Sequence, residues 1–129
     1  EQAARYLASL PRGAAPVAAA PADPVLMKAG ARLYADRCAD CHGADGRGAP
    51  GVYPALAGNP GVTQPGIHNL VQVLRHGGFP PSTAGNPRPY GMPPSELSDA
   101  EVSAVLSYVR QSWGHQAPAV TVLEVMRAR

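Results

Sequence analysis

Residues 37–48 read RCADCHGADGRG, and the fold turns on what Cys38, Cys41 and His42 hold. Two cysteines three positions apart, with a histidine directly after the second, fit three chemistries: a zinc ion, a redox-active dithiol, or thioether attachment of a haem. A structural zinc site takes four ligands, and this segment supplies at most three. His68, His76 and His115 stand alone, none at the spacing of a finger or knuckle. A thioredoxin-type dithiol opens a helix after a buried parallel strand, whereas Cys38 follows helix-like sequence and no strand pattern is visible. A disulfide across two residues is sterically possible but leaves His42 without a role. The haem reading uses all three residues: the thiols capture two vinyl groups along one porphyrin edge, and the next residue places an imidazole under the iron.

Composition points the same way. The 129 residues are enough for one domain with tails, and they include 15 Pro and 14 Gly but one Phe, one Trp and one Ile. A core of this size normally holds more bulky side chains, so a large, flat, apolar cofactor would supply the missing volume. The formal charge is +2, and the ten Arg and single Lys (Lys28) are scattered. No basic stripe for nucleic acid results. No apolar run approaches the roughly 18 residues of a membrane span, and no basic segment followed by an apolar one opens the chain. The expectation is a mature soluble chain or an excised domain without a transmembrane segment.

The order of elements can be read outward from the cysteines. Residues 1–22 comprise a helix-forming segment, EQAARYLASL, and the start of a Pro/Ala linker, PRGAAPVAAAPADP, that runs over 11–24. The compact domain is expected over 23–114. Asp23 and Pro24 give an N-cap and a first helical residue, and Leu26, Gly30, Leu33 and Tyr34 fall on one face of a helix that runs to Arg37. Gly30 leaves room there for a second helix to come close. Residues 43–61 are dense in Gly and Pro and predict a loop of turns. Residues 66–76 return to helical spacing through Ile67, Leu70, Val71 and Leu74, and Gly77 stops that helix. Six prolines between Gly78 and Ser95 predict a wandering segment with little hydrogen-bonded structure of its own. The last helix opens on a Ser98/Glu101 capping box, with Leu97 stapled on Val102, and ends near Trp113-Gly114. Residues 115–129 form an appended tail, extended or a short helical strap. At least one of the head and tail is expected to lie on a partner or a neighbouring domain.

Met92 lies in the Pro-rich segment, 50 residues beyond His42. Its thioether is a suitable soft axial donor for iron, and a stiff loop can hold it opposite the histidine. Met27 on the first helix and Met126 in the tail suit core or surface packing instead, and His68 and His76, in or beside a helix, suit a solvent-facing or core-capping role.

These residues together give the chain a resemblance to the class I cytochrome c family over about residues 23–114. The marks are Gly30 and Tyr34 on a first helix, Cys38-Ala-Asp-Cys41-His42, Pro54, Gly91-Met92-Pro93, and a final helix with Val105 and Tyr108. The resemblance implies an all-α fold, three to four helices wrapped around one haem c bound covalently through Cys38 and Cys41. It implies His42 and Met92 as iron ligands and a crossing of first and last helices at Gly30. It also implies a Pro54 carbonyl that accepts the His42 Nδ1 proton, and a haem contact from Leu56. More narrowly, YPALAGNPGV, VLRHGG, LSDAEVSAVLSYVRQSWG and VTVLEVMRAR are similar to the C-terminal haem domain of cytochrome subunits of bacterial membrane-bound alcohol and gluconate dehydrogenases. ARYLASLP resembles the closing helix of a preceding haem domain. An electron carrier rather than an enzyme is implied, placed in the periplasm or on its membrane surface, accepting electrons from a dehydrogenase partner and passing them to a respiratory acceptor. The rival is a haem peroxidase or gas-binding sensor with a displaceable Met92, for which no distal acid–base pair is evident. Arg75, Arg88, Tyr53 and Tyr90 are the candidates for the haem propionates. With so few lysines, long-range steering of partners should be weak, and a neutral face around Gly43–Gly51 and Pro80–Pro94 suits a partner held close.

Overall fold

Asp23, Asn59, Ser98 and Thr121 each accept a hydrogen bond from a backbone N–H two or three residues on, and a helix begins at each. The computed structural model describes residues 2–10 and 18–129. In chain order its helices are α1 (Gln2–Ser9), α2 (Pro24–Arg37), α3 (Ala39–His42), α4 (Pro60–Thr63), α5 (His68–His76), α6 (Asp99–Gln111) and α7 (Val122–Arg127). Among the described residues there are no strands, only isolated bridges between Ala49 and Tyr53 and between Gly78 and Met92. The architecture is thus all-helical, with α2, α5 and α6 as the longer elements expected and α3, α4 and α7 as additional short ones. Most of the Pro/Ala linker, residues 11–17, lies outside the described residues; α1 buries none of its side chains.

The core is organised by the crossing of α2 on α6. At Gly30 an added Cβ would lie 2.7 Å from the Tyr108 Cβ and closer still to the Ala104 carbonyl oxygen, so only glycine lets the two backbones meet there. Around the crossing Tyr34, Val102, Val105, Leu106 and Val109 are buried with Val71 and Leu74 of α5. Leu97 is buried beside them, as the staple requires, and both halves of the capping box at Ser98 and Glu101 are made.

The C-terminal segment completes this core. Val120 and Val125 are 1% and 0% exposed. Ser107 Oγ accepts from Val120 N–H at 2.9 Å, and Ser103 Oγ donates to the Val120 carbonyl at 2.6 Å. Gln72 of α5 donates to the Ala128 carbonyl, and Asp99 receives both Arg75 and Arg129. Residues 117–128 therefore pack on their own domain, because two buried serines on α6 offer hydroxyls that the returning backbone satisfies. Arg110, 1% exposed, joins the layers: its guanidinium donates to the carbonyls of Val62, Gln64 and Pro118 at 2.8–3.0 Å.

Candidate functional site

His42 closes the single turn of α3 and is 8% exposed. Its Nδ1–H donates to the Pro54 carbonyl at 2.9 Å. A carbonyl can only accept, so Nδ1 carries a proton, which leaves Nε2 as the ring nitrogen available to a metal. The histidine's own carbonyl takes the Gly48 N–H at 2.7 Å, and the next carbonyl, of Gly43, takes the Tyr34 hydroxyl at 2.6 Å. Ring and backbone are thus fixed separately.

Beside the imidazole lies a cavity of about 600 Å³, lined by Cys38, Cys41, His42, Pro54 and Met92 together with Arg37, Tyr53, Val73, Phe79 and Tyr90 and a run of prolines and glycines. Met92 is half-buried and reaches this cavity from a segment that is pinned rather than loose. Gly78 and Met92 exchange two backbone hydrogen bonds, 3.0 and 2.7 Å long. The pairing is possible because Gly77, at φ +80°, ends α5 and lets the Met92 carbonyl approach; a Cβ there would lie 2.6 Å from that oxygen. The Pro-rich stretch therefore has hydrogen-bonded order at the methionine, as it also has between Thr83 and Asn86.

Five of the six candidate site residues come together on this cavity. Leu56 does not: its N–H donates to the Gly46 carbonyl at 2.7 Å, which folds the chain back after Pro54, and its side chain packs on the hydrophobic core. Met27, Met126, His68 and His76 are not among the lining residues. Of the four propionate candidates Tyr53 and Tyr90 line the cavity, their rings 5.4 Å apart. Arg75 is bound to Asp99, and Arg88 lies away from the lining. Arg37, Val73 and Phe79 were not anticipated; Arg37 was signalled by its place directly before Cys38. Burial pushes the Cys38 thiol up to about 11, partly offset by Arg37.

The donor set suits a haem. An imidazole nitrogen and a thioether sulfur bind iron well, and no carboxylate lines the cavity to favour a hard cation. The volume falls within the range of roughly 300–1,000 Å³ that cofactor pockets take. Cys38 and Cys41 sit at the edge of the same space.

Comparison with known proteins agrees with this geometry. A family model described as Cytochrome c matches residues 27–113. The chain is 39% identical over 103 residues to the "Alcohol dehydrogenase (quinone), cytochrome c subunit" of Gluconacetobacter polyoxogenes, covering 78% of this chain and 22% of that subunit. It is 36% identical over 104 residues to the "Gluconate 2-dehydrogenase cytochrome c subunit" of Pantoea cypripedii, with 78% and 24% covered. Over 90 residues it is 34% identical to cytochrome c-552 of Thermus thermophilus, covering 66% of this chain and 68% of that protein. The chain thus spans less than a quarter of the dehydrogenase subunits it matches.

Proposed function

The chain belongs to the cytochrome c family, as an electron-transfer domain related to dehydrogenase cytochrome subunits, and from that premise we propose that it relays electrons from a dehydrogenase to a respiratory acceptor in the bacterial cell envelope. The observation that carries the reading is the His42–Pro54 hydrogen bond beside a cavity that Cys38, Cys41 and Met92 also line. Cys38 and Cys41 would hold one haem c through thioethers, and His42 Nε2 and the Met92 sulfur would ligate its iron. When bound there, the group supplies a one-electron iron couple.

The chain's own residues do the rest. The Pro54 carbonyl fixes the tautomer and orientation of His42 and raises its basicity. The Gly78–Met92 pairing holds the Met92 backbone beside the cavity, from which its thioether would reach the iron. The dehydrogenase relatives suggest the donor class in this reading: a dehydrogenase that oxidises an alcohol or a sugar acid. A neutral contact face is consistent with a donor held in one assembly, where long-range steering is unnecessary.

The test is chain produced in a host that attaches haem c. One haem per chain by pyridine haemochrome, a methionine-sulfur charge-transfer band, and rapid reduction by an alcohol dehydrogenase (quinone) with its substrate are expected. Met92→Ala should keep the covalent haem, lose the band and lower the potential, while Met27→Ala and Met126→Ala should do neither. A Met92 variant with the parent spectrum and potential would refute the ligand assignment.

A further inference from the structure

The Pro54 carbonyl can orient His42 only as well as its own loop is held, and that loop is gripped on both sides of Pro54 by the turn that follows α6. Trp113, at φ 55°, and Gly114, at φ 87°, are both left-handed, and they turn the chain sharply after α6. The Trp113 indole N–H donates to the Ala44 carbonyl at 3.2 Å, two residues beyond His42. On the other side of Pro54, the Gly58 N–H donates to His115 Nε2 at 2.9 Å, while His115 Nδ1–H donates to the Val109 carbonyl at 2.8 Å. The two rings meet edge to face at 6.1 Å. His115 is therefore a neutral imidazole of one tautomer, bridging the last turn of α6 to the loop. Leu56 and Ala57 both donate to the Gly46 carbonyl, so the loop is cross-linked within itself as well as to α6.

Resting on the functional reading above, we propose that His115 is a positioning residue for the iron ligand: by receiving the Gly58 N–H it sets the Pro54 carbonyl against His42 and so tunes the reduction potential. Partners of a ligating imidazole matter because a firm acceptor on Nδ1–H makes the ring a stronger donor, which favours oxidised iron. Loosening the loop weakens that acceptor and raises the potential.

Two substitutions separate this from mere support of the fold. His115→Asn keeps a donor toward Val109 but has no acceptor that reaches Gly58. His115→Gln carries an acceptor at the outer position and gives up the inner donor. Each loses one hydrogen bond and some stability. With haem-loaded chain, His115→Asn is expected to lower the oxidised-to-reduced ratio at fixed ambient potential about threefold, close to 30 mV at about 59 mV per tenfold for one electron. In NMR spectra of the reduced protein, its Gly58 amide and His42 Nδ1 protons should exchange faster. His115→Gln should match the parent in both respects. Equal potentials in all three proteins, or shifts that follow the loss of melting temperature in both variants, would overturn the inference while leaving the function intact. A parent without covalent haem or without the sulfur band would overturn the functional reading, and this one with it.

Discussion

Tyr34 shows how one side chain ties the core to the site. Its ring packs against Tyr108 and Trp113 at 5.4 and 5.2 Å, and its hydroxyl donates to the Gly43 carbonyl beside His42. Burial, with Cys38 nearby as the next cause, pushes the phenol from its ordinary value to about 12. The unfolded chain therefore releases this proton first. The stability that Tyr34 contributes is fully present below about pH 10 and is lost as the pH rises through about 12. Tyr34→Phe should cost about 1 kcal/mol near neutrality for the lost hydrogen bond. Urea melts should show that deficit narrowing between about pH 10 and pH 12, because the variant has no phenol to ionise; a gap constant over that range would remove Tyr34 from the alkaline titration. At this scale much was legible. Cys38, Cys41 and His42 carry their chemistry in their spacing, and Met92 is marked by the Pro-rich stretch around it. Leu56, a haem contact only by the resemblance, is partly buried against the core and held by a backbone hydrogen bond to Gly46 that no side-chain pattern records.

Among the elements, α2 and α6 are written in local signals: Asp23-Pro24 opens one, and Ser98 with Glu101 opens the other. The same signature stands at Thr121 and Glu124, where α7 begins with a complete capping box. What no local pattern supplies is where α7 docks. Ser103, Ser107 and Arg110 read as the polar side of α6, yet all three are buried, because residues 62–64 and 117–120 return to satisfy them. Removing residues 116–129 should therefore destabilise the domain itself. Val120 and Val125 alone account for about 3–6 kcal/mol at about 1.5–3 kcal/mol for each buried valine. Against a total near 5–15 kcal/mol that predicts a melting temperature lower by on the order of 10 °C or more. Deleting residues 2–10, none of them buried, should shift it by no more than about 2 °C. Equal melting temperatures for the two truncations would contradict the docked tail.

For the whole molecule, the shortage of large side chains in the composition and the cavity beside His42 are the same fact at two scales. One Phe and one Trp serve 129 residues, and Phe79 is 73% exposed at the cavity rim. The packed side of the domain, around Tyr34, Val71, Val102 and Val105, is built from medium-sized residues, and the other side faces about 600 Å³ that no side chain fills. The mouth is open to water, so this space is not a closed void; what the chain lacks without its cofactor is apolar contact along the face that Cys38, Pro54, Val73 and Met92 present to it, in a domain whose total stability is only about 5–15 kcal/mol. A chain with Cys38, Cys41 and His42 all changed to Ala should therefore lose cooperative melting and the near-ultraviolet dichroism of its aromatic cluster. Its far-ultraviolet helix signal should fall, and it should bind a hydrophobic dye that the haem-loaded parent does not. The triple variant also removes the His42–Pro54 bond, so Cys38→Ala/Cys41→Ala serves as the second case, with His42 still held. If that variant kept native-like helicity and a sharp thermal transition, α2, α5, α6 and α7 would form a self-sufficient core, and the cofactor would be a guest in this fold instead of part of it.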